Sequence, residues 1–309
     1  MNILVYGAGV IGSVYAARLQ EAGHNVSLLA RGQRAVSLRE HGIQLEDGLS
    51  GRRSVTRVAI VEQLAPEDSY DVVIITVRLD HLDSILPILA ANHQIPTLLF
   101  LLNNPGGMKQ FEQLDPQRVL PGFPCAGGSR EGDVVRYIVS RQIPMVLGEA
   151  DGRVTPRARQ MAAILKQAGF PVSISPDIQT WLKTHAIMVG SIISTVAMTG
   201  GKSAQLSRSR RNLMMMVQAI REGFLALQAQ GTPLTPFSMT LLFLWLPRWL
   251  IVSLLQAMLR TPVSKLGIDD HLDDDIKEVQ QMAQELMAQL RTSPRATPTL
   301  NHLFEHLNG

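Results

Sequence analysis

The sequence is poor in cysteine, in charge and in signals for a surface partner, and each shortage removes a class of protein. A single cysteine, Cys125, excludes an intrachain disulfide and fits a reducing compartment. No set of Cys and His residues has metal-ligand spacing, so no metal is expected. Charged residues make up 18% of the 309 positions and the net charge is +3. The arginines are scattered apart from Arg208, Arg210 and Arg211, and that cluster reads as a solvated helix face or turn. A nucleic-acid surface requires a basic stripe or face, so none is expected. There is no internal repeat and no low-complexity tract. No basic leader or cleavage signal precedes the first apolar run, so no signal peptide is expected and the localisation reads as cytoplasmic.

The chain is organised around what is present in its first dozen residues, MNILVYGAGVIG. An apolar run, Ile3-Leu4-Val5, leads into Gly7-Ala8-Gly9-Val10-Ile11-Gly12, and a helical pattern follows at once. Strand, tight glycine turn and helix in that order form a dinucleotide fingerprint. Gly7 permits the turn, Gly9 lets the backbone approach a pyrophosphate, and Gly12 lets the helix lie close to the strand. The helix N-terminus offers N–H groups and a partial positive charge to phosphates. Without a ligand, the same turn would only close a βα unit.

A second strand, Asn25 to Ala30, ends at Arg31-Gly32, with Arg34 close behind and no acid at the strand end. An acid there would accept from the ribose 2′-OH of NAD, whereas an arginine meets the 2′-phosphate of NADP. A planar guanidinium suits a phosphate dianion, so the expected cofactor is NADP(H). The alternative is a surface arginine capping a strand. Asp71 to Val77 (DVVIITV) is a buried parallel strand, apolar on both faces, and it stops at Arg78. Ligands bind beyond the carboxyl ends of such strands, so Arg78 is placed to reach the cofactor. A helix follows, from about Leu79 to Ala91, broken near Pro87. Thr97 to Leu102 ends in the polar turn Asn103-Asn104-Pro105-Gly106-Gly107. Strands around Val119, Val134 to Val139 and Met145 to Gly148 complete the sheet, the last two with hairpin-like spacing.

The second half changes character. Thr155 caps a helix that opens on Pro156. Beyond a short strand at Pro171 to Ser175, helical patterns run at about 177–199, 208–230, 238–259 and 270–291, with a short one at 298–307. Alternating strands and helices followed by helices alone predict an α/β Rossmann-type N-terminal domain, residues 1–175, and an all-α C-terminal domain, residues 176–309, for substrate and dimerisation. Residues 239–259 are apolar over a length that could span a bilayer, but Pro247 and Arg248 interrupt them. Membrane contact is therefore the lesser expectation, behind a buried helix pair, a dimer interface or an apolar lid.

These motifs together resemble the ketopantoate reductases (2-dehydropantoate 2-reductases), NADPH-dependent oxidoreductases of pantothenate biosynthesis. The pieces are GAGVIG, Arg31, the basic residue after VIITV, and the Asn-containing turn after LLFLL. The likeness extends to the 134–148 strand pair, Trp181-Leu182-Lys183, and a C-terminal helix carrying Glu278. The resemblance implies that Arg31 holds the 2′-phosphate, that Arg78 replaces a cofactor-binding lysine, and that Asn104 lies near the nicotinamide. It implies Lys183 as the catalytic lysine and Glu278 as the acid that binds the substrate hydroxyl or supports the active site. The family's substrate asparagines, four and eight residues after the lysine, are Ile187 and Ser191 here, and Ser264 is a weak match for its substrate serine.

The implied reaction is NADPH-dependent reduction of a 2-oxo acid, with Lys183 as general acid. Ile187 and Ser191 leave the identity of that small-molecule substrate open. They also motivate an alternative, a non-catalytic NADP(H)-binding sensor. A homodimer is compatible with the apolar helical half. His185, two residues after Lys183, points elsewhere on the helix and reads as structural. Cys125 reads as a buried or loop thiol, and the neighbouring Gly127-Gly128 suggest backbone close to a ligand.

Overall fold

The computed structural model describes residues 1–139, 144–261, 264, 268–269 and 272–307. The chain divides into two compact units. One comprises residues 1–102 and 108–178, the other residues 103–107 and 179–309. The first is an α/β Rossmann-type domain and the second is all helical.

In the first unit, the runs that are apolar at every position become central strands. These are β1 (Asn2–Tyr6), β6 (Val72–Ile75) and β7 (Leu98–Leu101), whose side chains from Ile3 onward are buried. A strand covered on both faces needs no polar side, so these read as continuous hydrophobic runs rather than alternating ones. With β2 (Asn25–Leu29), β5 (Ala59–Val61), β8 (Val119–Phe123), β11 (Met145–Leu147) and β12 (Val172–Ile174) they form an eight-stranded sheet, in the order β12-β11-β8-β7-β6-β1-β2-β5. All neighbours are parallel except β11 and β8. The strand order reverses at β1, which pairs with β2 on one side and β6 on the other. That reversal is where open α/β sheets receive ligands.

A second, four-stranded sheet has the order β4-β3-β10-β9, formed by β3 (Ile43–Asp47), β4 (Arg53–Thr56), β9 (Ala126–Glu131) and β10 (Val134–Val139). This corrects two expectations. Residues 134–139 and 145–148 are not a hairpin pair, because β10 lies in the small sheet and β11 in the large one. Gly127-Gly128 belong to a strand, and the glycine at 128 answers to the neighbouring strand rather than to a ligand. Its φ is +152°, and a Cβ there would come within 2.1 Å of the Arg136 carbonyl oxygen.

Helix α1 (Val10–Glu21) follows the glycine turn, and α2 (Gly32–His41) follows β2. A single 3-10 turn, Leu79–His81, precedes α3 (Leu82–Ala91), which runs through Pro87 without ending there. Helix α4 (Pro156–Gln167) starts as the sequence predicts: the Thr155 hydroxyl accepts from the Ala158 N–H at 3.2 Å, and Pro156 occupies the first turn. Cys125 is buried beside Tyr15, whose hydroxyl accepts from the Cys125 N–H at 3.4 Å.

The helical unit holds α5 (Ile178–Met198), α6 (Ser203–Leu206), α7 (Arg210–Ala229), α8 (Phe237–Thr240), α9 (Arg248–Leu259), α10 (Leu272–Leu290) and α11 (Pro298–Glu305). A π-type turn, Leu241–Trp245, links α8 to the break at Pro247. Helix α5 is long and apolar enough to cross a membrane, but most of it is buried within the fold. It lies close to two neighbours at glycines. A Cβ at Gly223 of α7 would stand 2.7 Å from Ile187 Cγ2, and one at Gly190 would stand 3.0 Å from the Phe304 ring of α11. The hydroxyls of Ser191, Ser194 and Thr195 return to carbonyls one turn back, which keeps polar atoms satisfied inside this apolar setting.

Candidate active site

The glycine turn is dictated partly by the chain and partly by something outside it. Gly7 has φ +115° and lies against Thr76, whose hydroxyl donates to the carbonyls of Tyr6 and Gly7 at 3.3 and 3.2 Å. Gly12 is buried, and a Cβ there would lie 1.8 Å from the Gly7 carbonyl oxygen. Gly9 is different. It is exposed, its φ of −74° is open to any residue, and an added Cβ would meet nothing within 4 Å. No internal contact requires its bare backbone. Helix α1, with Ala8 and Val10 and Ile11 around its start, has no side-chain cap and no acid in its first turn. An anionic group at this helix start meets N–H donors and the positive end of the dipole. The turn therefore fits the diphosphate of a dinucleotide.

Three arginines surround it. Arg31 is exposed at the end of β2; its Nε donates to the Glu62 carbonyl at 3.2 Å and its Nη2 to the Tyr6 hydroxyl at 3.3 Å. Arg34 was less conspicuous in sequence, yet it reaches the turn itself, donating to the Ala8 carbonyl at 3.4 Å and the Ser13 hydroxyl at 3.3 Å. Burial and then the nearby Arg130 charge lower its pKa, against the opposing Asp133, which lies 3.6 Å away. Arg78 stands just beyond β6, but Asp80 holds it in a bidentate pair at 3.1 and 3.0 Å. Burial alone would raise the Asp80 pKa; the hydrogen bond and charge from Arg78 outweigh it and hold the carboxyl below its usual range. Arg78 thus brings little uncompensated charge, while Arg31 faces no carboxylate partner among the described residues.

The helical unit holds the other sequence candidates. Lys183 is half-buried near the start of α5 and makes no hydrogen bond or ion pair among the described residues. Ile187 and Ser191, one and two turns further on, are fully buried, Ile187 against Gly223 and Ser191 with its hydroxyl on the Ile187 carbonyl. Glu278 is buried on α10 and accepts from the Asn103 amide at 3.3 Å. Asn104, the residue singled out in sequence, instead turns its amide to the Gly107 carbonyl at 3.0 Å and closes its own loop. Gln289, also on α10, donates to the Pro105 carbonyl at 2.8 Å. The asparagine loop is therefore clamped at two points by one helix. Ser264 donates to the Met258 carbonyl at 2.8 Å, a local bond at the end of α9. Among the described residues no cluster suits a metal.

His185 stacks on Trp181, with ring centroids 4.7 Å apart. Burial lowers its pKa from 6.5 to about 4. Above pH 6.5 neither folded nor unfolded chain binds this proton, so the site's contribution is intact. As the pH falls towards 4, only the unfolded chain takes it up, and stability is lost. The expected loss is about 2 kcal/mol between pH 7 and 5. Urea midpoints at the two pH values measure it. His185→Phe keeps the stacking and should show a smaller drop; equal drops in both proteins would assign the acid sensitivity to other groups.

The strand reversal and the glycine turn, followed by a helical unit, define a Rossmann-type protein of two units, the class of fold that receives dinucleotides. Residues 3–152 match the family model of ketopantoate reductase PanE/ApbA. A 2-dehydropantoate 2-reductase of Mesorhizobium japonicum is 28% identical over 255 residues, covering 72% of this chain and 76% of its own. Among solved structures, D-mandelate dehydrogenase with NADH and anilino(oxo)acetate superposes with a TM-score of 0.80 at 18% identity, covering 100% of this chain and 97% of that one. The 2-dehydropantoate 2-reductase of Geobacter metallireducens gives 0.79 at 16% identity, with 100% and 99% coverage. At such identities the solved structures speak for the fold.

Proposed function

We propose that the protein is an NADPH-dependent reductase of a 2-oxo acid, 2-dehydropantoate or a related compound. The observation that carries the reading is Arg31, exposed and without a carboxylate partner among the described residues, at the end of the strand beside the glycine turn. A guanidinium in that place favours a 2′-phosphate over a free ribose hydroxyl. When bound, a reduced nicotinamide supplies a hydride to a carbonyl carbon. Negative charge then develops on the carbonyl oxygen, and Lys183 stabilises it and donates the proton. Glu278 is the acid that supports the site, and we assign its positioning to Asn103, with Asn104 shaping the loop. Ile187 and Ser191 stand where the resemblance places two substrate amides, so branched and aromatic 2-oxo acids are candidates beside 2-dehydropantoate.

The buried Ile187 and Ser191 also support a second reading, an NADP(H)-binding sensor without turnover. NADPH titration followed by a spectrophotometric screen of 2-dehydropantoate and of branched and aromatic 2-oxo acids separates the two. Oxidation of NADPH by one of these acids is expected; binding without oxidation by any would favour the sensor. Arg31→Ala should weaken NADPH binding by about tenfold to a hundredfold and leave NADH nearly unchanged. Tighter binding of NADH than NADPH by the wild type would overturn the cofactor assignment.

A further inference from the structure

The segment from Phe237 to Arg260 is folded as half of a core and half of an unusual surface. On α9, Ile251, Val252, Leu255 and Leu259 are buried. The opposite side should carry charge, as outward helix faces do. Instead Trp249, Ser253, Leu254, Ala257 and Met258 are exposed there, with no charge among them. The preceding turns add Phe237, Leu241 and Trp245, and Trp245 is 74% exposed.

Within residues 178–268 the exposed charges among the described residues are of one sign. Between Asp177 and Asp269 the only carboxylate is that of Glu222. It is occupied inside the fold, accepting from the Thr299 N–H and hydroxyl, both at 2.7 Å. Arg248 opens α9 and Arg260 follows it, both exposed. The Gln256 amide donates to the Ser207 carbonyl at 2.9 Å, which brings the exposed Arg208, Arg210 and Arg211 beside the far half of α9. None of these five arginines is ion-paired among the described residues.

We propose that this face docks onto an anionic phospholipid surface, with the tryptophans at headgroup depth and the arginines on the lipid phosphates. Exposed aromatics flanked by cations are the chemistry of an interfacial helix. The segment lies on the bilayer rather than crossing it. Its two arms bend by 120° at the break, and a helix the length of α9 reaches only about 18 Å against a hydrocarbon core of about 30 Å. A second copy of the chain fits less well. A two-fold contact sets the patch against itself, so one arginine-flanked face would meet another.

The test uses the full chain without detergent, co-sedimented with vesicles of phosphatidylcholine alone or mixed with phosphatidylglycerol, at low and high salt. Binding is expected to the mixed vesicles and to fall at high salt. Trp245→Ser/Trp249→Ser and, separately, Arg208→Gln/Arg210→Gln/Arg211→Gln should each weaken it by about tenfold or more. Circular dichroism checks folding, and the two variants fail independently. NADPH affinity should not move in either, so this inference stands or falls apart from the reductase reading. No binding to the mixed vesicles, equal binding to the neutral ones, or binding unchanged in both variants overturns it. So does a dimer, seen by sedimentation velocity, that the tryptophan variant dissociates while vesicles bind nothing.

Discussion

Lys183→Ala is expected to lower kcat by roughly 10²–10⁴ while NADPH affinity stays near the wild-type value. The reason lies in what surrounds the lysine. Its ammonium has no partner among the described residues, so the fold does not consume the charge in an internal ion pair. A half-buried cation left in this state is available to a developing oxyanion. Single-turnover measurement with an acid from the panel gives the size of the loss. A loss carried by kcat, with the KM for the acid little changed, distinguishes a role in the transition state from one in substrate binding. A loss under about fivefold, with substrate in hand, would remove Lys183 from the mechanism.

The second large effect concerns two glycines of one turn. Gly12→Ala should destabilise the protein by about 3 kcal/mol or more, because its Cβ would stand 1.8 Å from a backbone oxygen that has nowhere to go. Gly9→Val should leave stability within about 0.5 kcal/mol of the wild type, since its φ is ordinary and the space is open. Its cost should appear in cofactor affinity instead, as a rise of about tenfold to a hundredfold in the Kd for NADPH. Urea unfolding and NADPH titration on the pair separate a glycine kept by packing from one kept by a ligand. Equal NADPH affinity in Gly9→Val and the wild type would place the diphosphate elsewhere.

How much of this was legible beforehand depended on whether the cause was local. The β1–turn–α1 unit, the fully apolar strands β6 and β7, and the Thr155 cap are set by neighbours in sequence, and all are readable there. Strand β9 was not, because Gly127-Gly128 followed by Ser129-Arg130-Glu131 has no strand pattern. It is extended because Gly128 pairs with Tyr137 of β10. The break at Pro247 was visible as a proline, but the exposed side of α9 was not, since a charge-free helix reads as core. At the candidate site, Arg31 could be found from its distance to Gly12. Arg34 on the Ala8 carbonyl and Asn103 on Glu278 could not, because those partners meet only in the folded chain. The double asparagine after β7 was the available signal, and it does not say which of the two side chains turns towards α10.

The excursion at residues 103–107 has a consequence for how the molecule can be divided. These residues belong to the helical unit, although the chain on both sides of them belongs to the α/β unit. Cutting at residue 178 would leave α10 with Glu278 and Gln289 stripped of Asn103 and Pro105, their donor and acceptor. The helical half is thus not a detachable module. It completes itself with a loop synthesised long before its first helix, so a fragment that starts at residue 179 lacks part of its own unit.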